Sequence, residues 1–208
     1  MNKSAFFAAS ALAATMALAL AGASAQHGSG HGAKQHSGGG HMQMGTSAMK
    51  SLRALRGKPF DVAFLSQMIA HHQAALKMSR DARPTLKDEH VQEHAQGIIT
   101  SQTKEIREMG ALLKTNYKAA PSAAQMQRMH ADMRHMMSMK PSGDHMFLEM
   151  MIPHHQGAVE MSRLALKNSA SPKVKALASR IIKEQNAEIA DFRKMLAQGT
   201  GKGQAHSH

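Results

Sequence analysis

The sequence has no cysteine and no tryptophan, and its aromatic residues are one tyrosine and six phenylalanines in 208 positions. Without cysteine there is no disulfide framework and no thiolate zinc site. A core so poor in aromatics needs another bulky filler, and nineteen methionines are available; the flexible thioether packs irregular space well. Acids are scarce as well: fourteen Asp and Glu against twenty-six Lys and Arg leave a formal charge of +12. The oxygen clusters that calcium and magnesium require are missing. The basic residues are spread along every predicted helix, often three or four places from an acid. No arginine-glycine run and no basic patch interleaved with aromatics occurs, so the charge reads as a solvated surface and excludes nucleic acid as a partner. Ser/His/Asp triads, phosphate-cradling loops and dinucleotide-binding patterns are absent, which leaves no case for nucleophilic catalysis.

Long apolar runs are also lacking after the first 25 residues. Within those residues Lys3 precedes an apolar stretch, Ala5–Leu20, and Ala23-Ser24-Ala25 stands before Gln26. This pattern predicts a signal peptide over 1–25, and so a periplasmic or secreted protein without a stable membrane anchor after cleavage. Residues 26–55 begin with a Gly-, Ser- and His-rich tract carrying His27, His31, His36 and His41 with Met42 and Met44. Too few apolar groups are present for it to fold alone, so it is expected to be a flexible arm with accessory metal-capturing imidazoles. Cleavage before Gln26 would place His27 second, where terminal amine, amide and imidazole chelate Cu(II); cyclisation of Gln26 would block that amine. Residues 199–208 form a polar tail with His206 and His208.

Between arm and tail the chain repeats itself. Asp61–Arg80, DVAFLSQMIAHHQAALKMSR, returns 83 residues later as Asp144–Arg163, DHMFLEMMIPHHQGAVEMSR, with twelve of twenty positions identical. The register continues without a gap: Val91, Ile98, Ile99, Gln102, Glu105, Ile106 and Leu113 align with Val174, Ile181, Ile182, Gln185, Glu188, Ile189 and Leu196. Each copy is a pair of helices. Turn and cap signals place the helices at Pro59–Arg83, Asp88–Thr115, Ser122–Lys140, Asp144–Asn168 and Pro172–Gln198. Asp144 is expected to cap the fourth, and Ser171 the fifth. No period-two segment of useful length appears. The expected domain is therefore an all-α bundle over 56–198: repeat one 60–115, a connecting helix 122–140, repeat two 144–198.

Successive helical residues turn by about 100°. On that wheel His72 sits amid Leu65, Met68, Ile69, Ala75 and Leu76, at the centre of the apolar face. His71 and Met78 fall on its rim. The second copy places Met151 and His155 centrally, with His154 and Met161 on the rim; Met150 adds a rim thioether where the first copy has Gln67. Met68/His72, Met151/His155 and Met150/His154 are one turn apart, close enough to grip one ion. On the partner helices Gln102, Glu105, Gln185 and Glu188 fall inside the apolar stripe. A buried carboxylate needs a partner, either the central histidine of its own repeat, oriented thereby for a metal, or Arg80 and Arg163. The connecting helix concentrates Met126, Met129, His130, Met133, His135, Met136, Met137 and Met139; as core it would be loose, as a site it offers soft ligands.

Thioether favours Cu(I), and imidazole takes copper in either state. A Met/His set without cysteine therefore points to copper, with Cu(I) preferred and Cu(II) or Ag(I) admissible. The motif F-L-x-x-M-I-x-H-H-Q-x-A-x-x-M at Phe64–Met78 and Phe147–Met161, with I-x-x-x-Q-x-x-E-I at Ile98–Ile106 and Ile181–Ile189, resembles domain-of-unknown-function family 305, whose best-described members are periplasmic copper-binding proteins of the CopM type. The resemblance spans about Phe60–Gln198. It implies a ferritin-like four-helix bundle, a role in metal tolerance, and ligand positions at Met68, His71, His72, Met78, Met151, His154, His155 and Met161. Ala70 departs from the pattern where the second copy has Pro153. The expected function is a non-enzymatic copper binder that sequesters or shuttles the ion, with other periplasmic copper-handling proteins as partners. Two other readings stand beside it: a di-metal carboxylate oxidase, for which the inward Glu-x-x-His motifs are missing, and a metal-free structural or partner-binding bundle.

Overall fold

Four stretches of the chain have an apolar stripe at helical spacing for more than six turns, and each becomes one long helix. The structure, a computed structural model, describes residues 46–199. Among these residues are seven α-helices and one 3-10 turn: α1 (Thr46–Ala54), α2 (Gly57–Ala82), the turn Arg83–Thr85, α3 (Glu89–Tyr117), α4 (Ala123–Asp132), α5 (Arg134–Ser138), α6 (Gly143–Asn168) and α7 (Pro172–Ala197). No strand occurs among them. Asp88 caps α3 by accepting from the His90 and Val91 amides at 2.9 and 3.2 Å. Ser122 and Ser171 do the same for α4 and α7 through Gln125 and Val174, satisfying amides that a helix start leaves open.

The two repeats fold as two helix pairs, α2 with α3 and α6 with α7, and α2 lies on α6. These four helices make the bundle. The two central helices run antiparallel, because the start of α6 meets the end of α2: Asp144 accepts from the backbone amides of Lys87 and Asp88 at 2.9 and 3.2 Å. Asp144 is thus not the cap expected from the sequence. Ser142 holds the cap position without a side-chain bond, and the carboxylate satisfies the incoming connection instead. At the other end Tyr117 donates to the buried Asp61 at 2.9 Å, tying the end of α3 to the start of α2. Phe60, Phe64, Phe147 and Phe192 are fully buried in the core, and Phe60 stacks on Phe64 at 5.8 Å.

Two segments differ from expectation. Residues 46–54, placed in the flexible arm, are helical, with Ala48, Met49 and Leu52 buried in the main core. This apolar stripe is one turn long, too short to register as a helix by periodicity, and it is held from outside: the Ala48 amide donates to Asp132 at 2.7 Å. The connecting helix 122–140 is two helices that break at Met133, where ψ is near zero. The break lets Met129 and Met133 join one apolar cluster of the core and Met136 the other. Residues 1–25, expected to form a signal peptide, residues 26–45 with His27, His31, His36 and His41, and residues 200–208 lie outside the described residues.

Candidate metal centre

The four histidines of the two His-His pairs are completely buried. They lie in a row across the α2–α6 contact. His71 and His72 have ring centroids 6.3 Å apart, His71 and His154 3.9 Å, and His154 and His155 5.9 Å. A carboxylate closes each end. His72 Nε2 donates to Glu105 at 2.8 Å and His155 Nε2 donates to Glu188 at 2.7 Å. The sequence left two partners open for these glutamates, and the structure pairs them with the central histidines; Arg80 and Arg163 are exposed. Two copies of one motif thus meet at one centre, each central histidine held by the glutamate 33 residues further along.

These hydrogen bonds set which nitrogens are free. A carboxylate accepts, so Nε2 of His72 and of His155 carries a proton. His154 Nε2 lies 3.1 Å from the His71 carbonyl oxygen and donates to it. Five buried ring nitrogens remain without a hydrogen-bond partner: Nδ1 of His72, His154 and His155, and both nitrogens of His71. Burial, then the imidazoles of His72 and His155, hold His71 well below the usual imidazole range. Burial does the same to His154, followed by His71, His155 and His72, against an opposing contribution from its bond to the His71 backbone. Both rings are therefore neutral near pH 7, the form that ligates metals.

Buried methionines stand one helical turn before these histidines: Met68 before His72 on α2, and Met150 and Met151 before His154 and His155 on α6. Met68 of the first repeat shares an apolar cluster with Met161 of the second, together with Met129 and Met133. Met78 of the first repeat shares the other cluster with Met150 and Met151 of the second, together with Met136. All of these methionines are buried. The antiparallel packing thus crosses the copies, so each group of sulfurs draws on both repeats. Gln102 and Gln185 are buried with their carbonyl oxygens unbonded. Gln67, standing where the second copy has Met150, bonds Ser51 and Gln125 at 2.9 and 2.7 Å and pins α1 and α4 to α2.

The Met-rich segment divides. Met129, Met133 and Met136 are core. Met126, His130, Met137 and Met139 are half-buried and His135 is exposed; His130 and Met137 border a surface cleft with Gln127 and Arg134. Among the described residues no group of three or more His, Asp or Glu side chains is arranged to hold an ion by itself. The central row offers imidazole nitrogens in pairs. Sequence reasoning missed Arg180, whose guanidinium meets Glu108 and lies 3.8 Å from Glu105. It also missed Phe192, which lies between His94 and His155 at 5.0 and 5.6 Å. The signal for Arg180 was in the repeat register, where it stands against Gly97.

Comparison with known proteins agrees with this architecture. CopM in its Cu(I)-bound form is similar to the chain at 29% identity and a TM-score of 0.58, covering 68% of this chain and 98% of CopM. CopM is also solved in Cu(II)-bound and silver-bound forms, with TM-scores of 0.57 and 0.58. A DUF305 protein from Streptomyces coelicolor is 28% identical with a TM-score of 0.56, covering 71% of this chain and 97% of its own. No protein with a curated description matches. The profile of the Domain of unknown function (DUF305) matches residues 10–113 and 86–196. The chain belongs to the DUF305 family.

Proposed function

We propose that this protein is a non-enzymatic, exported copper binder that sequesters or shuttles Cu(I), accepts Cu(II) or Ag(I), and contributes to copper tolerance. The observation that carries the reading is the buried row of histidines with five unpartnered ring nitrogens, with buried methionines one turn away on both central helices. Buried polar atoms are nearly always satisfied, and neutral imidazole with thioether is a donor set for a soft ion. The similarity to CopM, solved with Cu(I), Cu(II) and silver, supports the same choice of cargo.

Within this reading His71 and His154 supply the pair of nitrogens on the pseudo-twofold axis. His72 and His155 add Nδ1 donors whose rings Glu105 and Glu188 orient from behind. Met68 with Met161, and Met78 with Met150 and Met151, supply sulfur on either side. Gln102 and Gln185 line the same interior. The half-buried Met126, His130 and Met137 with the exposed His135 give a second, weaker set near the surface, while Met129, Met133 and Met136 back the core sulfurs. The His-rich arm collects the ion, and the leader over 1–25 directs the chain to the periplasm, where other copper-handling proteins exchange the metal with it.

A carboxylate oxidase would draw on four inward glutamates; the inward Glu105 and Glu188 are each engaged by an imidazole. Iron uptake with an oxo-bridge absorption band would favour that chemistry instead. The decisive test of the copper reading combines Met68→Leu, His72→Gln, Met151→Leu and His155→Gln in one chain. Copper binding by the folded domain should be lost while helicity persists. Unchanged stoichiometry would refute the assignment.

A further inference from the structure

The two ends of the histidine row are built alike but are not equally closed. Glu188 keeps 25% of its side chain exposed, whereas Glu105 keeps 7%. Glu188 lines a cleft of about 490 Å³ between α3 and α7, together with His90, Glu93, His94, Asp191 and Lys194. Three carboxylates and two imidazoles against one lysine make this a locally acidic mouth on a chain of net charge +12. Such a cleft concentrates cations that the rest of the surface repels. Behind His94 of the lining lies the buried Phe192, whose ring is 5.0 Å from His94 and 5.6 Å from His155. Glu188 bypasses that ring: it borders the cleft and accepts from His155 at 2.7 Å.

The repeat shows what the other end has instead. Eighty-three residues separate equivalent positions, so His90, Glu93, His94 and Gly97 correspond to Lys173, Ala176, Leu177 and Arg180. Glu188 and Asp191 correspond to Glu105 and Glu108. Arg180 binds both of those carboxylates. Its counterpart Gly97 has no side chain, and a Cβ built there meets nothing within 4 Å. One end therefore carries a cationic plug and the other an open, ligand-lined cleft.

We propose that the cleft between α3 and α7 is the port by which a copper-group cation enters the bundle, drawn in at the Glu188 carboxylate, while Arg180 seals the equivalent route at Glu105. This rests on the copper reading above and specifies how the buried site is reached. No three imidazole or carboxylate groups of the cleft converge on one point, which suits passage rather than retention.

The test uses the whole mature chain with Gly97→Arg and Arg180→Gly, singly and combined. Cu(I) is delivered anaerobically from a coloured chelator complex and loading is followed by stopped flow. Gly97→Arg should slow loading at least tenfold with stoichiometry unchanged, and Arg180→Gly should speed it. A loading rate for Gly97→Arg within twofold of the wild type, at unchanged stoichiometry, overturns the port. Glu93→Gln with Asp191→Asn gives a second, milder closure by charge alone, expected to slow loading severalfold. A metal-free readout separates this idea from the copper reading: exchange of the imidazole C2 hydrogens, followed by NMR, should be faster at His155 than at His72. The combined variant should reverse that order, and equal rates at both rings overturn the port. Absence of copper from the wild-type bundle refutes the copper reading and the port with it; the exchange order then still shows which end admits solvent.

Discussion

Removing the carboxylate behind a buried imidazole should cost more at one end of the row than at the other. His72 is fully buried and its Nε2–H has one acceptor, Glu105, at 2.8 Å. Glu105→Leu keeps most of the side-chain volume but leaves that N–H with no acceptor. A buried donor stripped of its partner costs about 1–3 kcal/mol. Arg180 loses one of its two carboxylates at the same time, so the upper half of that range is expected, about 2 kcal/mol. His155 has the same bond to Glu188, but that carboxylate is a quarter exposed at the cleft. Glu188→Leu opens a route for water to the freed N–H, so its cost should stay below about 1 kcal/mol. Glu105→Gln retains a carbonyl acceptor and should cost less than Glu105→Leu. Urea unfolding of the metal-free protein, followed by circular dichroism, gives the comparison. With a slope of about 2 kcal/mol per molar urea, Glu105→Leu should lower the midpoint by about 1 M. A loss for Glu105→Leu equal to or smaller than that for Glu188→Leu would refute the reasoning.

Three other outcomes follow from the same structure. Gly110 lies inside α3 with open space where a methyl group would stand, so Gly110→Ala should stabilise by about 1 kcal/mol and raise the Tm by about 3 °C; a lower Tm would contradict the geometry. Tyr117→Phe removes the hydrogen bond to a carboxylate that is 1% exposed and should destabilise by about 2 kcal/mol, read as a lower urea midpoint. Burial holds His71 and His154 below the usual range, so the unfolded chain binds more protons than the folded one as pH falls through about 6.5. Stability of the metal-free protein should be full above that pH and decline below it; a urea midpoint that rises on going from about pH 7.5 to about pH 5.5 would contradict neutral rings at His71 and His154.

Much of this was legible in the residues because the chain states its plan twice. Glu105 and Glu188 on apolar stripes, and His72 and His155 at the centre of theirs, require one another once both are inside. The rim positions misled. A helical wheel treats a single helix against one core, and His71 and His154 fall about 100° from its middle. In the bundle α2 packs on α6 as well as on α3, so the rims turned toward the other repeat become the innermost contact, with ring centroids 3.9 Å apart. The stripe of α1 is a single turn, and its docking depends on Asp132, 84 residues from Ala48, which periodicity does not see. The methionine face of 122–140 was visible, but its break at Met133 comes from the need to reach two separate clusters. Gly97 and Arg180 were in register throughout; their meaning emerged only with Glu105, Glu108 and Glu188 around them.

The claim that the folded bundle, and not its histidine-rich extensions, holds the metal is tested most directly by anaerobic Cu(I) titration against a competing chelator. The mature chain is compared with a chain lacking residues 26–45 and 200–208, which keeps α1 and all four bundle helices. Tight binding that survives the truncation is the predicted result. Binding that disappears with the extensions would contradict it and leave the buried histidines as packing.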